Sequence, residues 1–423
     1  MAEGKPRCRS CWLIVVVALL TLTISTGVWN PFPGLWDWIN TSRPLSDPNT
    51  AWQERLLGVP KSVTVLDRYV VIEHRDSVEV RNRASGRQLW QTKADWAAVA
   101  GGLVVIGTLL TKGYEVRETS SGAVIRRDTR ASAVWTFTNA MLDVSCRTSK
   151  DCELAARDPE MGTEKWRVGL PGIGFVLFAD NPGLAGGQQM GSELTPMPPL
   201  LGFPIDRKVH VVDTSTGRWL RAVAQDEHTV VHVMAGRVVQ STVVARNGRC
   251  IPTVSASEGA SGTRVWRREG YQLLSMNGAG CDQRGEPKAG GNAVVAIRPD
   301  GHQALLDAGD GREVLVCADG EKVLGTDGIY AVVLSADKSK IAGYALGRAR
   351  PLWIRNANEK VTVNVTRTAV VVTDRSPDRI IVLDPVTGRV RSEVRSGAEV
   401  LAYDGRGLML GDRRELGYLS VSS

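Results

Sequence analysis

Apolar residues recur along this chain in pairs two apart, and six of those pairs stand at one fixed distance from a glycine. Val78 and Val80, Tyr114 and Val116, Leu154 and Ala156, Val209 and Val211, Val254 and Ala256, and Ile380 and Val382 lie eight and six positions before Gly86, Gly122, Gly162, Gly217, Gly262 and Gly388. Four positions before each glycine is a residue able to accept hydrogen bonds from the backbone: Asn82, Glu118, Asp158, Asp213, Glu258 and Asp384. Alternation with period 2 predicts a half-buried strand. The polar residue predicts a turn whose own amides it satisfies, and the glycine supplies the positive φ that a short hairpin with a bulge demands. The repeated unit is a strand, a tight turn and a return strand.

The glycines are spaced by 36, 40, 55, 45 and 126 positions, and the last interval equals three units of 42. Two weaker copies are therefore expected in between, with Ala293-Val295-Ile297 leading to Gly301 and Ile341 to Gly347 followed by Trp353 as candidates. Repeats of 40 to 45 residues with several strands each predict a β-propeller, in which every unit is one four-stranded blade. A single blade cannot bury both faces, so neighbours must stack around a ring, and closing the ring removes exposed sheet edges. The expected fold is all-β, an eight-bladed propeller over residues 61–423, with seven blades as the alternative. Between Gly162 and Gly217 the period is broken by Gly183 to Gly191 and by Thr195-Pro196-Met197-Pro198-Pro199. This reads as an inserted loop, and residues 181–204 are a candidate partner-binding segment.

A different pattern opens the chain. Trp12 to Ile24 are nearly all apolar and follow Lys5, Arg7 and Arg9. A basic flank before an apolar run predicts a transmembrane signal-anchor helix over 11–30, with residues 1–10 as a cytoplasmic tail and everything later outside. A cleaved signal peptide is the competing reading. The segment Trp29 to Trp38 concentrates aromatics where a membrane interface would lie, or packs beneath the propeller. Residues 31–60, with Pro44, Pro48 and Pro60, read as a juxtamembrane linker.

Charge adds little to this picture. The net charge of +7 arises from 52 basic and 45 acidic residues without long runs of one sign, which argues against nucleic acid as a partner. Cysteine usage says more. Cys146 and Cys152 flank a polar turn between two apolar strands, so they are expected to bridge across a hairpin in an oxidising compartment. Cys250 and Cys281, both in loop-like stretches, are the second candidate pair, with Cys317 then a buried thiol in a strand, although the three cysteines allow three choices of a single bridge. Cys8 and Cys11 have metal-ligand spacing but no second pair on their side of the membrane. His228 and His232 fall in a strand pattern, which separates them from a shared helical face.

No nucleophile elbow, phosphate loop, HExxH or dinucleotide fingerprint occurs in the sequence, so no catalytic residue, metal or cofactor is predicted. The turns themselves carry a resemblance. Three units place a tryptophan four residues after the glycine: Gly86 with Trp90, Gly162 with Trp166, and Gly262 with Trp266. With Asp213-Thr214-Ser215-Thr216-Gly217 and Asp384-Pro385-Val386-Thr387-Gly388, this is similar to the A-x-D-x-x-T-G-x-x-x-W repeat of the PQQ-like, quinoprotein-type β-propellers. A large flat ring at that place can fill the gap between blades. Three units depart from the pattern: Arg126 and Ser392 stand where the tryptophan is expected, and Trp219 follows Gly217 by two residues.

The resemblance covers residues 61 to 423 and implies the fold more strongly than an activity. Dehydrogenases of the family hold the quinone with an adjacent pair of disulfide-bonded cysteines and a calcium ion, and this chain has no adjacent cysteines. It resembles instead the non-enzymatic branch, whose best-known member is a membrane-anchored scaffold of outer-membrane assembly. The expected function is a membrane-anchored, extracytoplasmic scaffold that binds an envelope protein or a cell-wall component. The alternatives are a quinoprotein-type dehydrogenase binding PQQ, or a sensor ectodomain.

Overall fold

The computed structural model describes residues 50–172, 195–276, 281–285, 287–375 and 378–421. Nine antiparallel sheets follow one another along the chain as blades 1 to 9, covering residues 62–93, 96–128, 131–170, 200–224, 229–269, 289–316, 322–356, 362–394 and 399–420. Within a blade the strands, named a to d, pair in sequence order. The a strands of neighbouring blades pack on one another, as Lys322–Thr326 does on Thr362–Val365, so they converge on the ring axis. Outer strands such as Gln88–Lys93 are largely exposed. In between, strands such as Tyr69–Glu73 and Leu103–Gly107 are buried along three consecutive residues. Both of their sides are covered, which is why they read as unbroken apolar runs and not as alternation.

The core is divided among the gaps between blades. Trp135, Phe137, Leu142 and Leu154 of blade 3 meet Leu201 and Phe203 of blade 4. Val239, Val254 and Trp266 of blade 5 meet Val294, Ala296 and Leu306 of blade 6. Each such aliphatic side chain contributes about 1.5–3 kcal/mol when fully buried, and no blade could realise that contribution alone.

The blade count corrects the expectation of eight, or alternatively seven. Eight turns join a c strand to a d strand, ending at or near Gly86, Gly122, Gly162, Gly217, Gly262, Gly311, Gly347 and Gly388. Blade 9 has no such turn, because its strands a to c come from residues 399–420 and its outer strand is Thr50–Arg55. Counting turns therefore misses the blade in which the two ends of the ring meet. The seam is antiparallel, with Trp52 opposite Tyr418 and Arg55 opposite Glu415. Gln53 donates to Glu415 Oε2 at 2.9 Å, Arg81 of blade 1 lies 3.8 Å from Glu54, and Arg83 pairs with Asp404.

Other expectations change with it. Thr50–Arg55 is a strand within the span expected to be linker. The transmembrane helix expected over 11–30 lies outside the described residues, and among those residues there is no helix long and apolar enough to cross a membrane. The structure is therefore a nine-bladed ring with no helix among its described residues, not eight blades behind a helix. Gly301 ends a turn between b and c strands, whereas the c–d turn of blade 6 runs from Asp307 to Gly311. Residues 200–204 of the expected loop belong to Leu200–Ile205, strand b of blade 4, which has three strands among the described residues.

Candidate functional site

Antiparallel order within each blade puts the a–b and c–d turns on one face of the ring and the b–c hairpins on the other. On the turn face, seven c–d turns share one construction. The glycine amide donates to the carbonyl of the residue four earlier, as in Gly122 to Glu118 at 2.8 Å, Gly311 to Asp307 at 2.7 Å and Gly388 to Asp384 at 2.9 Å. The head residue's side chain satisfies the turn. Asp158 Oδ1 accepts from Glu160 and Met161 amides at 3.1 and 3.0 Å. Asp213 Oδ1 accepts from the Ser215 amide at 2.8 Å and its hydroxyl at 2.6 Å. Where Glu replaces Asp, a serine three residues on donates instead, Ser121 to Glu118 and Ser261 to Glu258. These bonds favour the ionised form. The Met161 amide holds Asp158 below the usual carboxylate range, and the Ser215 hydroxyl does the same for Asp213.

The glycine is needed for space as well as for backbone angle. At Gly122, φ is +73° and a Cβ would fall 2.8 Å from the Trp90 ring. Trp90 Nε1 in turn donates to Thr119 O at 2.8 Å, one residue past the turn head. The same contact recurs as Trp166 on Gly217, Trp266 on Gly311 and Trp353 on Gly388, with indole bonds to Thr214, Ala308 and Pro385 carbonyls at 2.5, 3.0 and 2.9 Å. Trp52 of the closing strand fills the slot on Gly86 and donates to Arg83 O at 2.6 Å.

Gly162 and Gly262 take an arginine in place of the indole, Arg126 and Arg221 respectively. Both arginines stand four residues after their own glycine, in the tryptophan's register. Trp219 belongs to a different arrangement, edge-on to His210 at 4.8 Å and donating to Gly169 O at 2.5 Å.

A cleft of about 650 Å³ opens on the turn face, lined by Asp67, Gly101, Asn139, Asp158, Glu160 and Lys165 among others from blades 1 to 3. Its charges are largely matched, since Lys165 donates to Asn139 O at 2.6 Å and lies 3.4 Å from Asp158, while Asp67 meets Arg406 at 3.0 Å.

The hairpin face carries the disulfides. Cys146 and Cys152 are opposite one another on the b–c hairpin of blade 3 and are bridged. Cys250, on the b–c hairpin of blade 5, is bridged to Cys281. Cys317 is free and buried, and burial pushes its thiol up to about 12, which makes it inert as a nucleophile. His232 is half-buried in Thr229–Met234 and His228 is exposed beside Asp282, so the two histidines do not converge. Among the described residues no group of three or more His, Cys, Asp or Glu side chains is placed to hold a metal ion. The bridged cysteines are 6 and 31 positions apart, so neither pair is the adjacent-cysteine cradle of a quinone.

No protein-family model matches the chain, and no curated protein does. Solved structures similar to it include a eukaryotic initiation factor, at 11% identity over 82% of this chain and 95% of that one, with a TM-score of 0.50. They also include BamB from Moraxella catarrhalis, at 16% identity over 77% and 96% of the two chains with a TM-score of 0.38. A quinohemoprotein alcohol dehydrogenase from Comamonas testosteroni is similar at 13% identity over 88% and 77%, with a TM-score of 0.40. The likeness is one of fold, and the chain is a β-propeller.

Proposed function

We propose that the protein is an extracytoplasmic scaffold, attached to the membrane through its N-terminal apolar segment, that binds another protein of the envelope. The observation that carries this reading is the pair of disulfides, both on the hairpin face. Thiols are kept reduced in most cytosols, so bridges of this kind accord with an oxidising compartment. A bridge across one hairpin and another from a hairpin to the next connection also hold these segments in shape, which lowers the entropy lost when a partner docks. The ring beneath them is suited to the same task, since every blade is braced by two neighbours. Treatment of intact cells with a membrane-impermeant amine reagent should label exposed lysines such as Lys150 and Lys208, and crosslinking should retain an envelope protein through detergent extraction. Labelling that appears only after lysis would refute the location, and loss of every crosslinked protein would refute the scaffold.

A further inference from the structure

The b–c hairpin of blade 5 is unlike the others. Its strands Arg237–Arg246 and Arg249–Glu258 are ten residues long, whereas the a strand alongside ends at the Thr229–Thr242 pair and the d strand at the Thr253–Glu269 pair. Beyond those pairs Val243–Arg246 and Arg249–Pro252 run on as a two-stranded ribbon, projecting about 13 Å at the usual rise per residue. Val244 faces Ile251 and Arg246 faces Arg249 across the ladder. Because side chains alternate, these four lie on one side of the ribbon. Val244 is 54% and Ile251 39% exposed. Like charges directly opposite one another destabilise a ladder, so the arginine pair is not explained by folding.

The neighbouring hairpins repeat the charge. Arg147 and Lys150 stand on the tip of blade 3, and Arg207 and Lys208 on the tip of blade 4, where Arg207 takes the left-handed backbone (φ 58°) that favours glycine. The three tips are contiguous: Gly172 sits between Ser149 O and Ile205, the Gln225 amide donates to Arg207 O, and the Val243 amide donates to His228 O. None of the six cations has an ion pair among the described residues, and the tips add only Asp151 and Asp206 in return. On the same face, blades 6, 7 and 8 pair theirs: Arg298 with Asp300 at 3.0 Å, Lys338 with Glu359 at 3.1 Å and Arg375 with Asp378 at 3.9 Å.

We propose that this ribbon, with the tips of blades 3 and 4 beside it, is the docking surface for an extended acidic polypeptide segment. The inference rests on the scaffold reading and names the partner's chemistry. Exposed aliphatics next to unpaired arginines fit a protein segment better than a glycan or lipid headgroup, which would leave Val244 and Ile251 without partners. Cys250 faces Ala245 across the ladder, so the Cys250–Cys281 bridge lies on the side of the ribbon opposite Val244, Arg246, Arg249 and Ile251, and the segment adds along the edge of Val244–Arg246, beyond the end of the a strand, as a further strand. Its apolar residues meet Val244 and Ile251, and its carboxylates meet Arg246 and Arg249.

The test uses the full-length chain in detergent and a labelled twelve-residue peptide alternating Glu and Val, followed by fluorescence anisotropy. Binding that weakens with salt, falls at least tenfold in Arg246→Glu with Arg249→Glu, and is unchanged in Arg87→Glu with Arg389→Glu on the turn face supports the proposal. Arg246→Gln with Arg249→Gln should lose less, with a melting temperature unchanged or slightly raised. Equal affinity of the reversal variant, or equal binding of a peptide with Gln for Glu, overturns it. So does tip-dependent binding of heparin or of vesicles containing phosphatidylglycerol in place of the peptide. Self-association of the reversal variant with peptide binding intact would show the arginines to be guards of an open edge and would also overturn it. If the peptide fails while a crosslinked envelope protein still copurifies, only this inference falls.

Discussion

The two faces of the ring treat charge in opposite ways. On the turn face, acidic heads from Glu118 to Asp384 have their charge stabilised locally by amides and hydroxyls of their own turns, which gives them a structural reason. On the hairpin face, blades 3 to 5 raise six cations into solvent with no ion partner among the described residues and a backbone that bears a cost to present them. A feature that folding explains is poor evidence of function. The unexplained charge therefore lies with the hairpins, although the turn face has a cleft of about 650 Å³.

If the turn face exists to hold blades together, truncating its keystone should be the most damaging change. Trp166→Ala removes the ring that fills the slot on Gly217 and leaves Thr214 O without its donor, so a loss of about 3–5 kcal/mol is expected by denaturant titration. A hairpin-face change of similar burial should cost less. Cys146→Ser with Cys152→Ser opens a bridge with a sequence separation of only 6, for which about 2 kcal/mol is expected. A loss above that of Trp166→Ala would show that the hairpin face is structural too.

The smallest effect sharpens the electrostatic half of the contrast. Because the Ser215 hydroxyl and backbone hold the folded Asp213 below its unfolded range, its contribution is fully present above about pH 4 and is lost as pH falls through the folded value. Asp213→Asn should thus cost under about 1 kcal/mol at neutral pH and flatten the acid limb of the stability profile. An unchanged acid limb, followed by circular dichroism, would show that the turn carboxylates do not contribute in this way.

Much of this was legible in the sequence, and the gaps have physical causes. The strand–turn–strand unit was visible because φ, space and capping all fall on fixed positions. The Asp307–Gly311 turn has the same head, glycine and buried residue six before, Leu305, but Gln303 stands eight before, so the apolar pair is broken. Trp52 has no preceding turn to announce it, since its strand is paired by a distant segment. Arg126 read as a departure from the repeat and Arg221 was passed over for Trp219, yet both enter the same slots, because a long flat guanidinium can lie where an indole lies. The Cys146–Cys152 pair was legible from the polar turn it flanks, whereas Cys250 with Cys281 was one candidate among the three choices that Cys317 leaves open. The charge of the hairpin tips was not, because only the fold brings three separated stretches side by side.

The outer strand of blade 9 has a consequence for how the molecule comes into being. Its seam pairs residues such as Gln53 and Glu415, 362 positions apart, and closing so long a loop carries the largest entropic cost of any contact in the ring. Until that pairing forms, the strand Glu415–Ser420 of blade 9 has an unpaired edge, a template for aggregation or for a second copy. Pairing of Thr50–Arg55 with Glu415–Ser420 is thus the contact that both closes the ring and covers its last open edge.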